Sequence, residues 1–394
     1  MTNVAFYSKI GISAQEHDQF VKQRQQVNLL QSSSWATVKN QWQNERIGIF
    51  QGDNQVASMS LLIKPLPFGM TMIYIPRGPV MDYTNADLVA FTIKTLKAYG
   101  KKKRALLIKF DPMILLKQHQ LGEKAPDNPK ALAIIKHLKQ FGAHWTGPTT
   151  KLSDTIQPRF QANCYTNADI EASFPKHTKR LMKDARQRGV IAYRGNQSDL
   201  HTFADLISLT EKRKGVALRN EAYLHLAKVN LPEKLKNYEL QLKAVEQELA
   251  QTQAHQKKRL ARLTDQKQSL QRYLSEFKGF LDKYPDEVVI AGILSISYGN
   301  TMEMLYAGMN DDFKKFYPQY LLYPKVFMDA YHDDIAWANM GGIDGSFKDG
   351  LTAFKSNFSP TIEEFIGEFN LAISPFYHLA NLLYKIRKQL KHRH

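Results

Sequence analysis

Residues 45–78 read ERIGIFQGDNQVASMSLLIKPLPFGMTMIYIPRG. Three runs inside this stretch, ERIGIF, VASMSLLIK and MTMIYIPRG, are short and rich in β-branched and aliphatic residues, the composition of strands. A helical pattern follows over Ala86 to Tyr99, and then ALLIKFDP, another strand ending at Asp111. Short β-rich runs with a helix between them predict a mixed α/β domain, taken as residues 1–150. Farther along, helices are expected at about Lys130 to Phe141 and, after Pro175, at Lys176 to Arg188, where Gly189 supplies a stop. The strand VIAYR and a helix over Leu200 to Arg213 come next. EVVIAGILSISYG and TMEMLYAGM, separated by Gly299-Asn300, read as a hairpin. A helix near Phe316 to His332, a strand AWANMGG, the turn GGIDGSFKDG and a helix after Phe354 complete a second α/β domain, residues 151–365.

Residues 231–284 interrupt that second domain with a different texture, free of glycine until Gly279 and rich in Glu, Gln, Lys and Leu. Leu235, Tyr238, Leu242, Val245 and Leu249 recur at spacings of three and four, and Leu263, Leu270, Tyr273, Phe277, Phe280 and Tyr284 form a second seam. Two such segments separated near Thr252 to Gln256 predict an antiparallel coiled-coil hairpin projecting as an arm.

A chain of 394 residues, 43% hydrophobic and 23% charged, reads as globular and long enough for two cores. Its formal charge of +17 is spread along the chain, which suits a polyanionic partner, with plain basic solubility as the alternative. Cys164 is the single cysteine, so a disulfide framework and a multi-cysteine metal site are excluded. The start MTNVAFYSKIGIS lacks the charged-then-apolar order of a secretory signal, and Val288 to Ile296 is too short to span a bilayer. A cytoplasmic protein is expected, at most touching the membrane from inside; the tail FYHLANLLYKIRKQLKHRH, whose leucines oppose its lysines and arginines, fits packing on its own domain or contact with a membrane surface.

No Walker loop, GxGxxG, metal-spaced His/Cys set or nucleophile elbow occurs. What remains are polar residues at strand ends and turns: Lys39 after QSSSWATV, Asp111 in FDP, Tyr306 in the hairpin, and Lys355 after the glycine-rich turn. Arg219 and Tyr223 stand four apart in RNEAY, one face of a helix if that segment is helical. Taken singly, each also suits a surface charge, a cap or a strand tyrosine. Lys176, Lys179, Arg180, Lys183 and Arg186 stripe one helix, and Lys257, Lys258, Arg259 and Arg262 cluster at the arm's tip. Both groups fit either a solvated face or contacts to a phosphate backbone.

In order along the chain, QSSSWATVK, FDP, TEKRKGVALRNEAYL before the arm, and ANMGGIDGSFKDGLTAFKSNFSPTIEEFIGEFNL resemble the peptidoglycan-bridge aminoacyltransferases of the Fem and MurM type. That resemblance implies two domains of acyl-CoA N-acyltransferase type, with residues 366–394 returning to the first, and an arm similar to that of seryl-tRNA synthetases. It implies transfer of an amino acid, glycine, alanine or serine, from aminoacyl-tRNA to the stem peptide of a lipid-linked or UDP-linked precursor, without metal or cofactor. By the same resemblance Lys39 and Arg219 contact the precursor, Tyr223 and Tyr306 lie near the reacting peptide, Lys355 stabilises the transition state, and Asp111 matches an aspartate considered as base. Phe358-Ser359 stands where the family often has Phe-Gly. The rival readings are an aminoacyl-tRNA-dependent transferase acting on a protein or lipid, and a non-catalytic RNA-binding coiled-coil protein.

Overall fold

A computed structural model describes residues 5–39, 41–210 and 222–377. Packing divides the chain into two compact units: Met1–Asn167 with Ile296–Met304 and Ala330–His394, and Ala168–Ser295 with Leu305–Asp329. This partition by packing differs from one drawn at residue 150, because chain segments far apart in sequence share a sheet.

The first unit holds a mixed sheet whose strands run, edge to edge, Phe6–Ile10, Gln43–Gln51, Asn54–Pro65, Thr71–Ile75, Ala105–Phe110, Phe369–Ala372 and Ala143–Trp145. Asn54–Pro65 is an inner strand, and Ala57 through Ile63 are all buried, Ser58 and Ser60 included, with the Ser58 hydroxyl 2.7 Å from His17 Nδ1. The helix Ala86–Lys102, capped by Asn85, buries Leu88, Val89, Thr92, Ile93, Leu96 and Tyr99 along one stripe. The helix Pro129–Gln140 buries Ala131, Ile134, Ile135 and Leu138 in the same core. Each such isoleucine or leucine contributes about 1.5–3 kcal/mol relative to exposure.

The same unit carries further strands. Thr301, Met302 and Glu303 pair in parallel with Trp337, Ala338 and Asn339. The strand Trp337–Ile343 then pairs antiparallel with Phe160–Tyr165, which pairs with Thr361–Phe365, which pairs with Leu115–Gln120. The helix expected after Phe354 begins earlier: it spans Gly350–Ser356, because Asp349 caps it through the N–H groups of Leu351 and Thr352. Ser359 at φ 47 and Pro360 end it, and TIEEF continues as a strand.

In the second unit lie the strands Ile191–Gly195 and Ala222–Asn230, followed by the parts of Glu287–Tyr298 up to Ser295 and of Thr301–Met309 from Leu305. Phe203, Leu206 and Ile207 pack on Leu224, Leu226 and Leu294. Tyr223 lies on a strand, not on a helix, because AYLHLAKVN carries the β-propensity and burial of an inner strand. The helices Leu231–Gln251 and Lys257–Leu281 run antiparallel, as Lys267–Glu246, Arg259–Glu248 and the stacked Tyr238 and Tyr273 rings require. Tyr238, Val245, Leu263, Leu270, Leu274 and Phe277 are buried between and beneath them. At the base, Phe277 and Phe280 pack on Phe313 and Phe316. Among the described residues no helix is long and apolar enough to cross a membrane.

Candidate functional site

A cleft of about 370 Å³ opens in the first unit, lined by Trp35, Lys39, Trp42, Leu62, Tyr74 and Gln157 among others. The short helix Ser33–Val38 sets one wall. Ser32 caps it by accepting from the Trp35 N–H at 3.0 Å, and Asp18 accepts from the Ser33 N–H at 2.9 Å. Lys39 ends this helix with its Nζ 5.2 Å from the Trp35 ring centroid, a cation–π contact. The floor is the cross-strand pair Leu62 and Tyr74. Buried Gln31 holds that floor to the next segment: its side chain accepts from the Ser60 N–H at 2.9 Å and donates to the Pro76 carbonyl at 2.5 Å.

Behind the floor lies Asp111. The Tyr74 hydroxyl donates to its Oδ2 at 3.1 Å, and the Arg77 N–H donates to its Oδ1 at 2.8 Å. Burial pushes the carboxyl up to about 6, against the opposing pull of Arg77. Tyr74 lines the cleft and Asp111 does not, so the carboxyl meets the cleft through the tyrosine.

Residues 156–158 connect this cleft to Lys355. Ile156 and Gln157 line the cleft, and the carbonyl of Pro158 accepts from Arg77 Nη2 at 2.8 Å. The Pro158 ring lies so close to Gly342 that a Cβ there would stand 2.3 Å from Pro158 Cγ. The Gly342 carbonyl in turn accepts from Lys355 Nζ at 2.8 Å. Lys355 is 4% exposed, and burial lowers its ammonium to about 8 despite Asp349. Asp111 and Lys355 are thus linked through Arg77, Pro158 and Gly342, while Lys39 shares the cleft lining with Tyr74.

Arg77 is the hub that the sequence left unmarked. It is 2% exposed, adopts φ 53 and lies 5.0 Å from the Phe365 ring. Besides Asp111 it faces two further buried carboxylates. Glu303 accepts from Asn28 at 3.0 Å and Asn339 at 2.8 Å, and burial pushes it up to about 7, with Arg77 opposing. Glu363 accepts from the Tyr165 hydroxyl at 2.5 Å and from Asn163, and burial raises it too. The positive φ at a non-glycine residue, on a segment fixed by Gln31 and Asp111, marks a backbone held by its surroundings.

In the second unit the Tyr223 ring lies 4.4 Å from the Arg194 guanidinium carbon, and Tyr306 packs half-buried beside Phe203 and Leu224. Arg219 falls outside the described residues. In the helix Lys257–Leu281, Lys257 and Lys258 are exposed in the first turn, while Arg259 pairs with Glu248 at 2.7 Å and Arg262 approaches the same carboxylate at 3.9 Å. The basic stripe of the helix Lys176–Gln187 is exposed, and its Arg186 lies 3.6 Å from Glu171. The amphipathic tail beyond residue 377 is outside the described residues.

Relatives carry the same plan over nearly their whole length. The chain is 28% identical to a lipid II:glycine glycyltransferase of Staphylococcus epidermidis, covering 94% of each chain. A protein of the same name from Staphylococcus haemolyticus is 27% identical over 98% of this chain and 96% of its own. The crystal structure of FemX superposes with a TM-score of 0.74 at 24% identity, over 95% of this chain and 99% of that one, which speaks for a common fold. Residues 12–385 match the FemAB family, and the chain belongs to it.

Proposed function

We propose that this protein transfers an aminoacyl group, glycine first among candidates, from aminoacyl-tRNA to the stem-peptide amine of a peptidoglycan precursor and so builds the interpeptide bridge. The observation that carries the reading is Lys355, a buried ammonium held on a backbone carbonyl beside a cleft, in a chain similar along its length to lipid II:glycine glycyltransferases. On this reading the two units are N-acyltransferase-like domains, and the helices Leu231–Gln251 and Lys257–Leu281 are a coiled-coil arm that meets the tRNA through Lys257, Lys258, Arg259 and Arg262.

The donor is an ester already activated for aminolysis. The precursor's amine attacks the carbonyl that joins the amino acid to the ribose, the tetrahedral oxyanion collapses, and the ribose hydroxyl leaves with a proton. Lys355 stabilises the oxyanion, charge that exists only at that stage; one such donor is worth about 3 kcal/mol, roughly a hundredfold in rate. The attacking amine must be neutral, although a free lysine side chain keeps its proton to about pH 10.4. Asp111 serves that step through Tyr74, whose hydroxyl donates to it. Lys39 and Arg219 hold the precursor's anionic groups, and Tyr223 and Tyr306 flank the peptide. Incubation with glycyl-tRNA and lipid-linked or UDP-linked precursor, followed by mass spectrometry, is expected to show the precursor gaining one aminoacyl residue. Transfer to a protein or to a lipid headgroup, with none to either precursor, would favour the rival acceptor.

A further inference from the structure

We propose that the turn Pro67–Gly69, together with the C-terminal end of the helix Ala86–Lys102, is a docking surface for an anionic bilayer. The turn joins the strands Asn54–Pro65 and Thr71–Ile75, and Phe68 at its apex is 89% exposed. Its chain neighbours are apolar as well: residues 65–70 read PLPFGM. The apex is held by hydrogen bonds to backbone carbonyls instead of apolar packing. Phe68 adopts φ 61, a conformation costly for a bulky residue, and Arg104 Nη2 donates to its carbonyl at 3.4 Å. The Thr71 N–H donates to the Arg104 carbonyl at 3.1 Å, and the Thr71 hydroxyl to the Lys103 carbonyl at 2.8 Å.

Those bonds place the apolar apex against four consecutive cations, Lys101, Lys102, Lys103 and Arg104, of which all but the half-buried Lys103 are exposed. Exposed Lys64 adds a fifth on the strand leading into the turn. Neither 54–81 nor 88–110 contains an Asp or Glu, so no acid from either segment offsets them. An exposed aromatic apex ringed by basic side chains is what inserts at the headgroup boundary of an anionic membrane, the ring entering the acyl region and the cations meeting phosphates. A nucleic-acid backbone would match the cations but leave the PLPFGM apex without a partner, since phosphate and sugar contacts are polar.

The surface also has a purpose if the acceptor is lipid-linked, the one respect in which it leans on the proposed function. Leu62 and Tyr74, the cleft floor, lie on the same hairpin as Phe68, about 20 Å from its apex at roughly 3.3 Å per residue. Docking would hold the cleft at the height of a headgroup-borne peptide.

The test is co-sedimentation of the full chain with phosphatidylglycerol vesicles, in the absence of tRNA and precursor, so that its outcome does not depend on the transfer reading. Binding is expected at about 0.15 M salt, weakening at about 1 M and on pure phosphatidylcholine. Phe68→Ala should lower the partition roughly tenfold, and Lys101→Glu with Lys102→Glu at least as much. Both variants should retain transfer to the soluble UDP-linked precursor and lose it selectively on precursor embedded in vesicles. Absence of vesicle binding, binding indifferent to both variants, or charge-reversal variants that lose tRNA affinity while keeping vesicle affinity would each overturn the proposal.

Discussion

A lysine ammonium 4% exposed and hydrogen-bonded to the Gly342 carbonyl is costly to keep charged, and its depression to about 8 is the mark of that cost. The depression has a defined sign. The cation exists below about pH 8 and is lost as pH rises through it, two units or more before an exposed lysine would lose its proton. Turnover at saturating substrates is therefore expected to fall above about pH 8, and Lys355→Met should lower it about a hundredfold at pH 7 while acceptor affinity, read by calorimetry, stays within a few-fold. Asp111 runs the other way. Burial raises it to about 6, so its carboxylate forms as pH climbs through that value, and the low-pH limb of turnover should lie there. Tyr74→Phe keeps the carboxylate but removes the hydroxyl that donates to it. A limb that disappears in both Tyr74→Phe and Asp111→Asn would tie it to the pair, whereas a limb unchanged in both would exclude Asp111 from the proton step. Lys355 and Asp111 stood out in the sequence because charged residues at the ends of apolar runs are conspicuous. Arg77 did not, since its partners Asp111, Pro158, Glu303 and Glu363 come from four separate segments and no local pattern joins them.

At the scale of elements, the segments with strong local signals were legible: the strands within 45–78, the hairpin around Gly299-Asn300, and the two helices either side of Thr252 to Gln256. Strands such as Phe160–Tyr165 and Thr361–Phe365 were not, because they are short, carry polar residues in buried positions and owe their pairing to partners about 200 residues away. Asn163, Glu363 and Glu364 read as surface residues in sequence yet are buried, Glu364 paired with Arg159 and Glu363 with Asn163 and Tyr165. Two predictions belong here. Gly342→Ala would drive a Cβ into Pro158, with Leu152 also at 2.8 Å, and should cost about 1–3 kcal/mol in denaturant unfolding while moving the carbonyl that holds Lys355. In the arm, replacing 247–266 by a short Gly-Ser turn removes Lys257, Lys258, Arg259 and Arg262 but spares the aromatic base. Melting temperature should shift little and the KM for aminoacyl-tRNA should rise about tenfold or more. An unchanged KM would remove the tip from tRNA recognition. Cutting deeper, to 234–282, would uncover Phe313 and Phe316, both 0% exposed, and should destabilise the second unit.

At the scale of the whole molecule, composition constrained little beyond a basic protein of two cores; the order of motifs supplied the family. What the sequence could not supply was the interleaving, in which residues 296–304 pack with the first unit. Such long-range strand exchange leaves no local trace, since each strand's pattern is the same whichever sheet receives it. The most direct measurement is a reconstituted transfer: wild-type protein and Lys355→Met, each with glycyl-tRNA and the lipid-linked precursor, products weighed by mass spectrometry. The expected result is a precursor heavier by one glycyl residue with the wild type, at a rate about a hundredfold lower in the variant. No transfer from any charged tRNA to either form of precursor, or transfer undiminished by the loss of Lys355, would contradict it.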